Sequence, residues 1–155
     1  MNMLLENHYQ NAYVTRDIEK AIETFRTRYG VADARYFQAE VEVTTPQGKG
    51  MAINKVSFIW IGNLQYELIE PVSGPVDIYR DALPDQGMRF HHICMRSFDW
   101  EATLAEVDRQ KLPIVYRGDT SSGLKFIYAD ARETLGHYLE YTWVPPQVWT
   151  AMGGR

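Results

Sequence analysis

Hydrophobic and polar positions follow one order in the first half of the chain. Residues 8–14 read HYQNAYV, a short pattern typical of a strand. Residues 17–30 predict a helix, because their apolar side chains recur at spacings of four, three and four: Ile18, Ile22, Phe25 and Tyr29. Three more β-patterned segments follow, separated by turn residues, at 36–45, 54–62 and 64–71. The predicted order is strand, helix and three strands.

The second half repeats this order. HHICMRSF at 91–98 predicts a strand, and DWEATLAEVDRQKL at 99–112 predicts a helix. Three further strands are expected, at 113–119, 124–131 and 137–144. The two helix starts align at Asp17 and Asp99, each a residue that caps helices well. A short helix is expected in the PVDIYRDALPDQG connector. The chain is therefore an internal duplication.

The duplication predicts an α+β fold made of two βαβββ modules. One module alone would leave a sheet face uncovered, whereas two copies form a curved eight-stranded mixed sheet with helices outside and a metal-binding cleft inside. We expect one domain over residues 1–155, divided as follows: module one 7–71, a connector 72–87, module two 88–144 and a C-terminal tail 145–155.

Composition narrows the function classes. Of 155 residues, 45% are hydrophobic and 23% are charged, the net charge is −4 and the pI is about 5.5. The basic residues are scattered, so a nucleic-acid or basic membrane surface is not expected. Cys94 is the single cysteine, which excludes a disulfide framework. No signal peptide or membrane span is predicted, and we expect a cytoplasmic protein acting on a small molecule.

Adjacent histidines begin the first strand of module two. Because a strand sends neighbouring side chains to opposite faces, at most one of His91 and His92 is expected in any site. With His92 in the cleft, Ile93 and Met95 face the helices, which suits apolar residues. The repeat then pairs His92 with His8, and His91 is expected to point towards the helix side or the strand edge.

The last strand of each module carries one acid in an apolar or aromatic setting, Glu67 and Glu140. A single strand histidine or glutamate is usually solvated or hydrogen-bonded. Four such residues at matched points of a repeat instead predict a metal site made of His8, Glu67, His92 and Glu140. Two imidazoles and two carboxylates suit a borderline divalent ion and leave coordination positions open.

Other cleft candidates are less specific. Arg96 should share the cleft face with His92, where it would bind an anionic group of the substrate or form a structural ion pair. Strand aromatics suggest either a lined pocket or ordinary core: Tyr66, Tyr116, Phe126, Tyr128 and Trp143.

Two segments, FIWIGNLQYELIEP (58–71) and MRFHHICMRSFDWEATL (88–104), resemble the vicinal oxygen chelate superfamily of glyoxalases, bleomycin resistance proteins and dioxygenases. They are most similar to its methylmalonyl-CoA epimerase branch, although the stretch 56–61 lacks the acid that some epimerases carry. The resemblance implies the ligands named above, a single Ni, Co, Zn, Mn, Mg or Fe ion, and a homodimer.

The resemblance also implies proton transfer next to a metal-bound carbonyl, by an isomerase, epimerase or lyase acting on a small carbonyl or thioester substrate. Glu140 is the first candidate for the base and Glu67 the second. Alternatively, both stay as ligands and another residue or a water moves the proton. Two other classes remain open: a non-catalytic small-molecule binding or resistance protein, and a ring-cleaving dioxygenase.

Overall fold

The structure, a computed structural model, describes residues 3–155. The strands are β1 His8–Thr15, β2 Phe37–Thr45, β3 Gly48–Ile61, β4 Leu64–Ser73, β5 Met88–Ser97, β6 Ile114–Asp119, β7 Lys125–Ala131 and β8 His137–Trp143. The helices are α1 Ile18–Arg28, α2 Asp77–Arg80, α3 Trp100–Arg109 and α4 Pro146–Ala151, preceded by a 3-10 turn, Met3–Leu5. None of the helices in this range has the length and hydrophobicity that a membrane span requires.

The two long helices start in the same way. The Asp17 carboxylate accepts a hydrogen bond from the Lys20 backbone N–H, and Asp99 accepts one from Ala102, each at 3.0 Å. Both aspartates have extended backbone and act as N-caps, an arrangement worth about 1 kcal/mol per helix. The helix starts thus mark equivalent points of the two modules.

The eight strands close into a barrel in the order β1-β4-β3-β2-β6-β7-β8-β5. Within the modules, β1 pairs with β4 and β5 pairs with β8 in parallel, while the other neighbours are antiparallel. The modules meet at a long β1–β5 seam and at a short β2–β6 seam, where only Val43–Gly118 and Thr44–Arg117 pair. The predicted α+β fold with a curved eight-stranded mixed sheet is confirmed.

Apolar side chains pack on both sides of the sheet. Outside, α1 buries Ile18, Ile22 and Phe25 against Ile59 and Leu68. The equivalent outer cluster of module two surrounds Val107 of α3, and an inner cluster fills part of the barrel. Each fully buried side chain of this size contributes roughly 1.5–3 kcal/mol. The remaining interior is the cavity described below.

Two elements differ in detail from the sequence-based expectation. The β2–β3 turn is shorter than the interval between the predicted strands at 36–45 and 54–62, since β3 already begins at Gly48. The tail forms α4, in which Trp149 packs edge-on against Tyr9, and the Trp60 indole N–H donates to the Met152 carbonyl at 2.8 Å. The tail therefore packs against β1 and β3. The short helix expected in the connector is α2.

Candidate metal centre

Three of the predicted ligands meet inside the barrel. Glu67 comes from β4, His92 from β5 and Glu140 from β8, and one ligand atom of each lies within 4.8 Å of the others. His92 Nε2 is 2.9 Å from Glu140 Oε2 and 3.7 Å from Glu67 Oε2. All three side chains are buried. Each was predicted from the internal repeat.

The strand register identifies a fourth member of this group. In module two, Cys94 lies opposite Glu140, and His92 comes two residues before Cys94. In module one, Ala12 lies opposite Glu67, and the residue two before it is Gln10. Gln10 is 3% exposed, and its Nε2 donates to Gln65 Oε1 at 2.6 Å. Its Oε1 has no hydrogen-bond partner in the described part of the chain.

His8 is not brought into this group. It is exposed at the start of β1, where its Nε2 lies 2.8 Å from Asn11 Oδ1. The pairing of β1 with β5 shifts by one residue between His8 and Gln10, which indicates a β-bulge at Tyr9. Such a shift turns the residues before it to the other face. The aligned caps Asp17 and Asp99 are 82 residues apart, and this offset selects Gln10 as the counterpart of His92.

His91 occupies a different place from the one expected. A second register shift in the β1–β5 pair leaves His91 as the extra residue on β5, so that both histidines lie inside the barrel. Its ring stacks on Tyr138 with centroids 4.9 Å apart, and its Nδ1 is 2.8 Å from His92 Nδ1. The expectation that His91 faces the helices or the strand edge is therefore wrong, because strand alternation fails at a bulge.

The hydrogen bonds of His91 orient His92. His91 Nε2 lies 2.8 Å from the Ile78 carbonyl, which can only accept a hydrogen bond. The His91 Nε2–H is thus the donor, and His91 Nδ1 accepts from the His92 Nδ1–H. This leaves His92 Nε2 directed at the two carboxylates. Ligating histidines commonly donate their second N–H to a carboxylate, a backbone carbonyl or water, which fixes the ring, and here His91 Nδ1 is the acceptor.

The pKa values of the two histidines are shifted in opposite directions. Burial and the neighbouring His92 lower the pKa of His91 to about 3. Burial alone would lower the pKa of His92, but its hydrogen bonds to Glu140 and Glu67 outweigh burial and raise the pKa to about 9. Burial also raises the pKa of Glu67. Without metal, a proton on His92 therefore holds the carboxylates together, and a bound ion would replace it.

The two carboxylates have different neighbours across the sheet. Tyr128 lies opposite Glu140, with its hydroxyl 3.5 Å from His92 Nε2 and 2.7 Å from the Tyr79 hydroxyl. Burial raises the pKa of Tyr128 well above its usual value, so this hydroxyl stays protonated. Phe58 lies opposite Glu67. Module two therefore has a tyrosine opposite its carboxylate, where module one has a phenylalanine.

Three residues of the cluster, Gln10, Glu67 and Glu140, line a cavity of about 410 Å³. Tyr116, Phe126 and Tyr128 line the cavity, as the sequence suggested. The remaining two aromatics named from the sequence are not among its lining residues, and Tyr66 packs under α1 instead.

Arg96 does not line the cavity. Its guanidinium lies 4.0 Å from the ring centre of Trp149 and 4.8 Å from that of Phe98. Within residues 3–155 no carboxylate pairs with it, so the structural ion pair considered above is absent there. Arg96 instead forms a cation–π contact that supports the C-terminal helix.

The residues of the cluster suit a divalent ion. They supply an imidazole nitrogen, two carboxylates and an amide oxygen, a mixed set typical of borderline or hard divalent metals. Buried amide oxygens normally have a partner, and a bound ion would supply one. In the cluster, this oxygen is Gln10 Oε1. Four protein donors also leave coordination positions for water or substrate.

Two βαβββ modules close into one small barrel around an inward-facing histidine–carboxylate cluster. A family model described as the Glyoxalase/Bleomycin resistance protein/Dioxygenase superfamily matches residues 9–128. The chain belongs to this family, which confirms the resemblance drawn from the sequence. A search of curated proteins found no significant match.

Solved structures support the same fold. The methylmalonyl-CoA epimerase of Mycobacterium tuberculosis is 15% identical, with a TM-score of 0.61 over 97% of this chain and 95% of that chain. A methylmalonyl-CoA epimerase in complex with methylmalonyl-CoA and NH4+ is 17% identical, with a TM-score of 0.63 over 92% and 96%. A Streptomyces coelicolor epimerase variant with 2-nitronate-propionyl-CoA is 17% identical, with a TM-score of 0.62 over 88% and 96%. At these identities the likeness shows the fold.

Proposed function

We propose that this protein is a divalent-metal-dependent enzyme that moves a proton at a carbon next to a carbonyl group. The observation that carries the proposal is the cluster itself: two buried carboxylates, an oriented imidazole and an unpartnered amide oxygen beside a cavity. The epimerase activity named for its structural neighbours is of this reaction type.

Four residues would hold the ion: Gln10, Glu67, His92 and Glu140. In this proposal Gln10 takes the role that the sequence assigned to His8. When bound, the ion supplies a Lewis acid that polarises a carbonyl oxygen. His91 keeps the His92 ring turned towards the carboxylates.

A carboxylate of the cluster then takes the proton from carbon and returns it. Glu140 remains the first candidate for this base and Glu67 the second. Tyr128 is a suitable donor to an oxygen that gains negative charge, because burial keeps its hydroxyl protonated next to Glu140. The reaction would be an isomerisation, epimerisation or elimination. The homodimer and the cytoplasmic location stay predictions.

Solvent deuterium exchange tests the proposal. The metal-loaded protein would be incubated in D2O with 2-oxo acids, thioesters and hemithioacetals, and deuterium incorporation next to the carbonyl would be followed by NMR. We expect Glu140→Gln to slow exchange by roughly 10²–10⁴-fold, the usual contribution of a general base.

Glu67→Gln is the parallel variant, and Glu40→Gln is the matched control on the exposed side of β2. Metal content is measured for every variant, so that loss of the ion is separated from loss of the base. If both cluster variants retain metal and exchange at the wild-type rate, the proposed function is wrong.

A further inference from the structure

We infer that the cavity selects a carbonyl compound with an uncharged, apolar body, and that it rejects substrates carrying an anionic group outside the metal's coordination sphere. The inference rests on the proposed function, since it names the substrate class of that same site. It separates this protein from its neighbours that bind methylmalonyl-CoA, whose acyl group ends in a carboxylate.

The cavity walls are mainly apolar away from the cluster. Strands β2 and β3 contribute Val41, Val56 and Phe58, and the β6–β7 side contributes Leu124 and Phe126. A volume of about 410 Å³ lies in the range of pockets that enclose small organic molecules. Such walls favour a hydrocarbon or aromatic body over a polar one.

The charges of the lining residues disfavour an anionic group on the substrate body more strongly than the apolar walls do. None of the cavity-lining residues in the described chain is Lys or Arg, and the charged residues among them are Glu67 and Glu140. These two carboxylates would cancel the charge of a divalent ion, with His92 neutral as a ligand. A substrate carboxylate outside the coordination sphere would then lie unpaired in an apolar cavity, which costs several kcal/mol.

Polar side chains interrupt the apolar wall at Asn54, Thr120 and Ser122, and of these Asn54 is the buried one. Asn54 on β3 is 8% exposed, lines the cavity, and has no hydrogen-bond partner for its Oδ1 in residues 3–155. Buried polar groups are normally satisfied, so this oxygen is available to a ligand. It would accept a hydrogen bond from a hydroxyl or N–H group on an otherwise apolar substrate.

The entrance has the same character. Strand β2 pairs with β6 only near its C-terminal end, which leaves its first residues unpaired to β6. At this side Phe37 is 50% exposed and Phe58 is 37% exposed, and their ring centroids lie 5.8 Å apart. Both rings line the cavity. An apolar molecule would therefore enter between aromatic side chains.

Three hydroxamates with one shared metal-binding group test the inference by calorimetry on the metal-loaded protein. Benzohydroxamate has an apolar ring, acetohydroxamate has only a methyl group, and 4-carboxybenzohydroxamate adds a carboxylate. We expect benzohydroxamate to bind at least about tenfold more tightly than either of the others. Equal or tighter binding of the carboxylated probe would overturn the inference.

Leu124→Lys sharpens the test, because it adds the cation that the wall lacks at a half-buried position near the β6–β7 turn. This variant should gain affinity for 4-carboxybenzohydroxamate and lose affinity for benzohydroxamate. Leu124→Met is the uncharged control and should keep the wild-type order. If Leu124→Lys does not fold, the order in which wild type binds the three hydroxamates still decides the question. A second variant, Asn54→Leu, should bind ring-hydroxylated benzohydroxamates less tightly than wild type does.

A metal-free arm separates this inference from the proposed function. Binding of 2-naphthol and 2-naphthoate is compared by tryptophan fluorescence, with 2-naphthol expected to bind more tightly. A protein that binds no metal and still prefers 2-naphthol refutes the proposed function and supports the cavity's selectivity. A protein that exchanges deuterium and prefers the carboxylated probes supports the function and refutes the selectivity.

Discussion

Module one supplies an amide and a carboxylate to the cluster, with a phenylalanine opposite the carboxylate in the sheet, whereas module two supplies an imidazole and a carboxylate, with a tyrosine opposite. These groups occupy matching register positions: Gln10 with His92, and Phe58 with Tyr128. The two modules thus keep the same backbone arrangement but carry different side chains at the matching positions. Module two supplies the hydrogen-bonded side of the cluster, in which Glu140 lies 2.9 Å from His92.

We therefore expect the two modules to contribute unequally to metal affinity and to proton transfer. The module-two ligand is fixed by a bonded chain from Ile78 through His91 to His92. The module-one ligand is fixed by a single amide–amide hydrogen bond between Gln10 and Gln65. Disturbing module two should therefore have the larger effect in each matched pair of variants.

The largest effect is expected from His92→Ala. This variant removes the single imidazole of the cluster and the proton that holds both carboxylates together in the metal-free state. Metal affinity should fall by more than about 100-fold, above the range produced by outer-shell changes. Titration with Co2+ and Zn2+ would measure the loss, and wild-type affinity in this variant would show that the ion binds elsewhere.

A smaller loss is expected from His91→Phe, which removes the acceptor for the His92 Nδ1–H but keeps a ring against Tyr138. Metal affinity should fall by about 10–100-fold, as for other outer-shell partners.

His137→Phe removes a histidine outside the cluster and is the control for this change. In wild-type protein, 15N NMR of the metal-loaded state should show the proton on His92 Nδ1. A signal that instead places the proton on His92 Nε2 would contradict the hydrogen-bonded chain from Ile78 through His91 to His92.

The histidine pair also predicts a stability maximum for the metal-free protein near pH 6.5. His92 has a folded-state pKa of about 9, above its ordinary value of 6.5, so its contribution is present below pH 6.5 and is lost as the pH rises to 9. His91 has a folded-state pKa of about 3, so stability is lost as the pH falls from 6.5 towards 3.

Each slope is at most about 1.4 kcal/mol per pH unit. Denaturant unfolding across this range would measure both slopes. The alkaline slope should be absent from His92→Gln, and the acid slope should be reduced in His91→Phe. Unchanged slopes in these variants would assign the pH dependence to other groups.

Local sequence patterns were sufficient for most of the fold. The helical stripes, the capping aspartates and the turn residues predict α1, α3 and all eight strands, because each signal acts within a few residues. Helix α4 was missed, since six residues at the chain end carry too little periodicity and the helix is fixed by contacts of Trp149 with Tyr9 and Trp60.

The cluster was predictable only as far as strand alternation holds. His92, Glu67 and Glu140 lie on regular stretches, and the structure brings them together. Both misplaced histidines lie beside register shifts of the β1–β5 pair, where one extra residue reverses the faces. A bulge depends on pairing with a distant strand, so HYQNAYV alone does not reveal it.

The central claim is that one ion binds to Gln10, Glu67, His92 and Glu140, with His8 outside the site. The most direct test compares metal stoichiometry and affinity in wild type, His8→Ala and Gln10→Ala. We predict one ion per chain, unchanged metal affinity in His8→Ala, and a loss of metal affinity of roughly tenfold in Gln10→Ala. That loss equals the lower end of the range for outer-shell partners. Loss of metal from His8→Ala together with wild-type affinity in Gln10→Ala would contradict the account.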